Sequence, residues 1–130
     1  MTQHLDDLLA DARARLGPRL GPAEAAAALA DGALLVDIRP VELRRRDGEL
    51  PGALIVDRNA LEWRLAPTSS HRLAEAGDPG RVVVVVCDEG YASSLAAATL
   101  RELGLSGATN LDGGFRAWAA AGLPVSRSAD

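Results

Sequence analysis

The sequence predicts an α/β fold in which helices cover both faces of a parallel β-sheet. Along its 130 residues, short apolar runs alternate with segments whose apolar residues recur at helical spacing. Five consecutive valines at residues 82–86 form the most regular apolar run. Runs without alternating polar positions are typical of parallel strands that are buried on both faces. Alternation of such strands with helices favours parallel pairing, because each helix returns the chain to the same end of the sheet.

Six segments have helical patterns, and most of them are bounded by glycine or proline. The predicted helices cover residues 5–16, 23–30, 41–46, 61–65, 94–103 and 115–121. The first is amphipathic, with leucine or alanine recurring every third or fourth position, and Gly17 and Pro18 end it. We expect this helix to pack on the domain rather than in a membrane.

Four segments have the composition of strands. They cover residues 33–38, 53–56, 82–86 and 108–111. Residues 53–56 follow the turn Pro51-Gly52 and are predicted to be buried like residues 82–86. With 130 residues and no internal repeat or linker, the chain is predicted to form one domain.

Composition and charge narrow the function classes. Hydrophobic residues make up 48% of the chain and charged residues 25%, which is typical of a globular protein. A net charge of -4 and the lack of basic runs with interleaved aromatics give no support for nucleic-acid binding. We find no membrane segment or signal peptide, and we expect a cytoplasmic location. The two isolated histidines, His4 and His71, do not form a metal site.

Cys87 is the only cysteine, and it directly follows the valine run. One cysteine excludes an internal disulfide and a paired-cysteine redox motif. The carboxyl end of a parallel strand, where the chain turns into a helix, is where open α/β sheets bind ligands. Amide groups in such a loop and at the helix start attract negative charge. The position therefore indicates a reactive thiolate rather than an inert core thiol.

The loop after Cys87 is predicted to surround the sulfur with backbone amides. These amides belong to Glu89, Gly90, Tyr91, Ala92 and Ser93, which follow Asp88. Gly90 provides the conformational freedom for the loop to curl. Ser93 can also donate a hydrogen bond to the site, although capping of the next helix is the favoured interpretation.

Four segments together resemble the rhodanese-like sulfurtransferase family, in particular its single-domain rhodaneses. They are Leu-Val-Asp-Ile-Arg at residues 35–39, Gly-Glu-Leu-Pro-Gly-Ala at 48–53, Cys-x-x-Gly-x-x-Ser at 87–93, and Leu-Asp-Gly-Gly-Phe-x-x-Trp at 111–118 with Ala-Gly-Leu-Pro at 121–124. Their order and spacing cover roughly residues 18–124. The resemblance implies a bacterial-type, three-layer α/β/α rhodanese-like domain over residues 18–130. It also implies a central, mainly parallel five-stranded sheet. Residues 1–17 lie outside the resemblance, and their amphipathic pattern predicts a helix packed on the domain.

The resemblance further implies covalent sulfur transfer. Cys87 would take a sulfane sulfur from thiosulfate or another persulfide source and pass it to a thiol or cyanide. No metal or organic cofactor is implied. The implied partner is a small sulfur-containing anion or thiol, with a protein sulfur donor or acceptor as the alternative. Asp37 and Arg39 are expected to support the site from the end of a strand, and Trp118 to pack in the core.

The loop departs from the family pattern in its charge. Many members have an arginine just before the serine, where this chain has Ala92. The loop carries Asp88 and Glu89 instead, which oppose thiolate formation unless they point outward. Arg58 is the first candidate for the missing cation and Arg64 the second, and surface ion pairing is the competing interpretation for both. Trp63, between them, is expected to pack in the core.

Two other functions are compatible with parts of the sequence. Phosphatases with a similar loop need an arginine six residues after the cysteine, where this chain has Ser93. A non-enzymatic module for sulfur sensing or protein interaction is the other possibility, and the acidic loop is compatible with it. Retention of Cys87 favours chemistry over binding alone.

Overall fold

The computed structural model of the protein describes residues 2–127. Its helices are α1 (Leu5–Leu16), α2 (Pro22–Ala30), α3 (Val41–Asp47), α4 (Leu61–Leu65), α5 (Ala92–Glu102) and α6 (Gly114–Ala120). Its strands are β1 (Leu34–Asp37), β2 (Leu54–Ile55), β3 (Val83–Val86) and β4 (Ala108–Asn110). Two 3₁₀ turns, Arg58–Ala60 and Ala74–Ala76, lie between β2 and β3.

The four strands form one parallel sheet in the order β2-β1-β3-β4. The prediction of five strands is wrong, because the segment beside β4 is reduced to one residue. Leu20 makes an isolated parallel bridge to Leu111 at that edge. Pro18 precedes it, and Pro22 begins α2 two residues later, so the extended segment cannot lengthen into a strand.

The two faces of the sheet carry separate apolar layers, because successive strand side chains point in opposite directions. Val83 and Val85 belong to the layer that contains α1, α4 and α5. Val84 and Val86 belong to the layer that contains α2 and α6. All four valines are fully buried. The arrangement is therefore three-layered, as predicted, with the valine strand at its centre.

The strand β2 lies at the edge of the sheet and is shorter than predicted. It contains two residues, and the side chain of Ile55 is 49% exposed. Because β2 pairs with β1 on one side only, the predicted burial of this strand is wrong at Ile55.

Helix α1 packs against α5. Ala12 and Leu16 are buried in the layer that contains α5, and Arg15 forms an ion pair with Glu102 of α5. Among the described residues, no helix is long and apolar enough to cross a membrane.

The carboxyl ends of β1 and β3 lie side by side, so the residues that follow them share one edge of the sheet.

Candidate active site

Cys87 directly follows β3 and begins the loop that leads into α5. Its side chain is 9% exposed. The sulfur accepts hydrogen bonds from the N–H of Gly90 at 3.1 Å and from the N–H of Ser93 at 3.3 Å. The Ser93 hydroxyl oxygen lies 3.2 Å from the same sulfur. Three polar groups thus converge on the sulfur, an arrangement that stabilises negative charge there.

The hydroxyl of Ser93 is held beside the sulfur by Asn110, the last residue of β4. The Nδ2 of Asn110 donates a hydrogen bond to the Ser93 Oγ at 3.0 Å, and both side chains are fully buried. Because Asn110 occupies a lone pair of the hydroxyl, the proton of Ser93 can point at the sulfur. The prediction that Ser93 caps α5 is wrong: the helix begins at Ala92, and Ser93 lies inside its first turn.

The curl of the loop depends on glycine at two positions. Gly90 has φ of 93°, and a Cβ atom there would lie 2.9 Å from the backbone nitrogen of Gly113. Gly114 has φ of 63°, and its Cβ would lie 2.6 Å from the carbonyl oxygens of both Cys87 and Asp88. Those two carbonyls accept the backbone N–H groups of the next residues of α6, Phe115 and Arg116. The start of α6 therefore packs directly against the backbone of the cysteine loop.

Three of the five backbone amides that were predicted to surround the sulfur remain available for a ligand. The N–H groups of Glu89, Tyr91 and Ala92 make no hydrogen bond to any other part of residues 2–127. All three residues are exposed. The loop therefore offers two amides to the sulfur of Cys87 and three more to whatever binds there.

The two acidic side chains of the loop have different environments. Asp88 accepts a hydrogen bond from Nε of Arg116 at 2.8 Å. This hydrogen bond, and then the charge of the Asp88 carboxylate, raise the pKa of Arg116 above its usual value. Glu89 is exposed and forms no ion pair within the described chain. Asp88 is thus neutralised by a partner, while the charge of Glu89 is screened by solvent.

A cavity of about 300 Å³ is lined by Cys87, the size of a small-ligand site. Apolar lining is contributed by Ile38, Pro40, Leu43, Tyr91 and Ala92. Charged lining is contributed by Arg39, Arg58, Asp88 and Glu89. The cavity can therefore hold a small anion at the amides and an organic group against its apolar side.

Asp37 and Arg39 form a buried ion pair where β1 ends. They are 1% and 3% exposed. Nη2 of Arg39 donates to the Asp37 carboxylate at 2.9 Å and to the carbonyl of Gly48 at 2.9 Å. The Arg39 guanidinium also lies over the ring of Phe115, 3.8 Å from its centroid. Arg39 lines the cavity, but with its charge compensated by Asp37, we assign this pair a supporting role.

Of the two arginines proposed as the missing cation of the site, Arg58 lines the cavity and Arg64 does not. Arg58 lines the cavity, where its Nη1 contacts both carboxylate oxygens of Glu62 at 2.9 Å. Arg64 is not part of the cavity lining and donates to the carbonyl of His71 at 2.6 Å. Trp63 is 60% exposed, so the prediction that it packs in the core is wrong. The apolar positions of short α4 are taken by Leu61 and Leu65 instead.

Sequence reasoning missed three residues that contact the loop. Asn110 orients Ser93, Arg116 neutralises Asp88, and Arg13 of α1 donates to the carbonyl of Gly90 at 3.1 Å. Each is separated from the loop by at least 16 positions in sequence. Local sequence patterns carry no signal for contacts of this kind. For Arg116, the only available signal was the neighbouring turn and helix start.

Residues 21–121 match the Rhodanese-like domain family. Cys87, its amide-lined loop and the residues that line the cavity all lie within these residues. The protein therefore belongs to the rhodanese-like family, as the four sequence segments indicated.

Named relatives and solved structures agree with this family. The chain is 32% identical over 102 residues to thiosulfate sulfurtransferase GlpE of Pseudomonas savastanoi, covering 78% of this chain and 87% of that protein. It is 38% identical over 93 residues to a sulfurtransferase of Allochromatium vinosum, covering 71% and 77%. The human single-domain sulfurtransferase TSTD1 is similar in structure, with a TM-score of 0.66, 31% identity, and coverage of 80% and 96%.

A second solved structure matches almost the whole chain, including α1. It is a Rhodopseudomonas palustris protein of unknown function, described as a possible tyrosine phosphatase. The TM-score is 0.85, with 31% identity and coverage of 96% of both chains. Together the named relatives support a sulfurtransferase.

Proposed function

We propose that this protein is a rhodanese-type sulfurtransferase that carries a sulfane sulfur as a persulfide on Cys87. The observation that carries the proposal is the position of the sulfur. It is held by the amides of Gly90 and Ser93 and the Ser93 hydroxyl, and it lines a cavity with three further free amides. Such a site stabilises an anionic sulfur both before and after loading, without any cofactor.

The first step loads Cys87 from thiosulfate or another persulfide source. The thiolate attacks the outer sulfur of thiosulfate, and a bond forms between the Cys87 sulfur and that atom. The sulfur–sulfur bond of thiosulfate breaks, and sulfite leaves with the electron pair. The free amides of Glu89, Tyr91 and Ala92 are the donors we assign to the charged oxygens of the donor and to the terminal persulfide sulfur.

The second step releases the sulfur to an acceptor. An acceptor thiolate or cyanide attacks the terminal sulfur, forms a new bond to it, and Cys87 leaves as thiolate. The apolar lining from Ile38, Pro40 and Leu43 supports an organic thiol as the acceptor, since cyanide has no group to bury there. A protein that presents a thiol on an extended segment is the alternative acceptor.

Intact-protein mass spectrometry tests the proposal. Wild-type protein exposed to thiosulfate is expected to gain the mass of one sulfur atom, and Cys87→Ser to gain nothing. The loaded wild type should lose that mass on addition of an organic thiol. A wild type that gains no sulfur from thiosulfate or from an organic persulfide, while its thiol still reacts with iodoacetamide, contradicts sulfur transfer and favours a binding module.

The same samples separate sulfur transfer from phosphatase chemistry. Phosphate needs a bidentate arginine in the loop, and Ser93 occupies the position where such an arginine would stand. We therefore expect no release of phosphate from an aryl phosphate. Release that disappears in Cys87→Ser would instead support a phosphatase.

Removal of Arg58 is expected to weaken the use of thiosulfate. Arg58→Ala removes a cation from the cavity lining and leaves the carboxylate of Glu62 without the partner it has in the structure. We expect kcat/KM for thiosulfate to fall at least about tenfold, mainly through KM. Glu62→Gln should have the opposite effect. It removes the carboxylate that pairs with Arg58, which leaves Arg58 free to bind the donor and should raise kcat/KM for thiosulfate.

Arg64→Ala is the matched comparison for Arg58→Ala. Arg64 belongs to the same short segment but does not line the cavity. Its substitution is expected to leave kcat/KM within about twofold of wild type. Equal losses in Arg58→Ala and Arg64→Ala would remove the specific role of Arg58.

A further inference from the structure

Arg13 reaches the cysteine loop from a helix that lies outside the residues matched to the family. It belongs to the last turn of α1, and the family match begins at residue 21. Its Nη2 donates to the carbonyl oxygen of Gly90 at 3.1 Å, and its Nε donates to the Ser94 hydroxyl at 3.1 Å. Its guanidinium also lies 5.6 Å from the ring centroid of Tyr91. These contacts span 77 and 81 positions of sequence.

The carbonyl of Gly90 is held by several donors at once. Besides Arg13, it accepts from the Ser94 hydroxyl at 2.8 Å and from Nδ2 of Asn110 at 3.3 Å. The N–H of this same glycine donates to the Cys87 sulfur. A glycine at φ of 93° has no side chain to hold its orientation. Bonds to its carbonyl oxygen hold the peptide plane between Gly90 and Tyr91, which limits the φ and ψ rotation by which the Gly90 N–H could turn away from the sulfur.

Within residues 2–127, Arg13 is the one basic side chain that forms a hydrogen bond to the backbone of this loop. The loop itself contributes Asp88 and Glu89 and no basic residue. Arg13 is half-buried, so its charge acts through a medium less polarisable than water. A positive charge on the Gly90 carbonyl favours an anionic sulfur on the other side of that residue.

We propose that Arg13 is a positioning residue, which holds Gly90 so that its amide binds the charged sulfur of Cys87 and the persulfide formed there. The proposal deepens the proposed function and rests on it for the persulfide. The effect on the thiolate itself does not depend on any sulfur donor. Helix α1 is then part of the catalytic apparatus, although it lies outside the matched family residues.

The packing of α1 against α5 does not require the hydrogen bonds that Arg13 makes to the cysteine loop. Ala12 and Leu16 bury apolar surface against the layer of α5, and Arg15 pairs with Glu102. These contacts hold α1 without any bond to the cysteine loop. Arg15 therefore provides a matched control on the same helix, with the same side chain and a partner on α5.

The test compares Arg13→Met, Arg13→Gln, Arg13→Lys and Arg15→Met in the full chain. The rate of Cys87 alkylation by iodoacetamide is measured across pH, and sulfur loading from thiosulfate is measured by mass spectrometry. We expect Arg13→Met to lower the loading rate at saturating thiosulfate about tenfold and to move the alkylation profile to higher pH. Arg13→Lys should recover part of the loss, and Arg15→Met should match wild type in both assays.

These variants distinguish a failure of the Arg13 inference from a failure of the proposed sulfurtransferase function. Should Arg13→Met not fold, Arg13→Gln, which keeps a donor but no charge, is expected to give the same direction of change. Wild-type alkylation and loading in a folded Arg13→Met or Arg13→Gln would overturn the inference. A wild type that loads no sulfur would instead overturn the proposed function, while the alkylation profiles would still test Arg13.

Discussion

Gly114→Ala is expected to destabilise the protein by about 3 kcal/mol and to slow sulfur loading. The added Cβ would lie 2.6 Å from the carbonyl oxygens of both Cys87 and Asp88. Neither backbone atom can rotate away as a flexible side chain would. Relief requires the start of α6 and the cysteine loop to separate, which weakens the bonds from Phe115 and Arg116 to the same carbonyls. Thermal unfolding, with a fall of roughly 10 °C, measures the loss.

Gly52→Ala is the matched control for this prediction. Gly52 has φ of 76°, close to the 63° of Gly114, but a Cβ there meets nothing within 4 Å. It should therefore cost only the backbone strain, about 1 kcal/mol, and leave sulfur loading unchanged. Equal effects of the two substitutions would show that contact with the cysteine loop is not what requires Gly114.

Asp37→Ala is expected to destabilise the protein by about 3–5 kcal/mol, because it leaves the charge of Arg39 buried without its partner. Both side chains are almost completely buried, and the carboxylate accepts three separate N–H groups of Arg39. The bond from Arg39 to Gly48 and its contact with Phe115 remain, but neither supplies a negative charge. Chemical denaturation of the variant measures the difference in the free energy of unfolding.

A second substitution tests the physical cause. Arg39→Met in the Asp37→Ala background removes the uncompensated charge and should recover part of the lost stability. Asp47→Ala breaks an exposed pair with Arg46 and should leave the midpoint of denaturation unchanged. A double variant less stable than Asp37→Ala alone would show that packing, rather than buried charge, accounts for the loss.

The centre of the site could be predicted from the sequence because its determinants are local. The valine run, Cys87 and the loop to Ser93 are contiguous, and a strand followed by a helix places them at the edge of a parallel sheet. The amides of Gly90 and Ser93 do bind the sulfur. Helix α1 could be predicted for the same reason, since its apolar spacing and its ending at Gly17 lie within one segment.

The residues that support the loop could not be predicted, because their contacts depend on how distant elements pack. Arg13 resembled any surface arginine of an amphipathic helix, and Asn110 looked like one polar residue of a short strand. Both become informative only when α1 and β4 are placed beside α5. The error at Ser93 has a similar origin: a serine near a helix start suggests a cap, and only the packing of Asn110 shows that it turns to the sulfur.

The number of strands is a point at which the family resemblance gave a wrong prediction and the residues of this chain gave the right one. Sequence composition indicated four strands, and the fifth was implied by resemblance alone. The prolines at positions 18 and 22 carry the local information that a strand beside β4 cannot extend. Leu20 retains the place of that strand as a single bridge.

The short edges of this sheet also affect how the protein behaves at high concentration. A chain adds to a sheet by pairing with a row of free backbone groups. Here one edge is the two-residue β2, and the other is covered at Leu111 by Leu20. The segment most prone to fibril formation, the valine run, is paired on both sides. Fibrils seeded by the valine run therefore require the domain to unfold first, and a folded sample should stay dispersed until it melts.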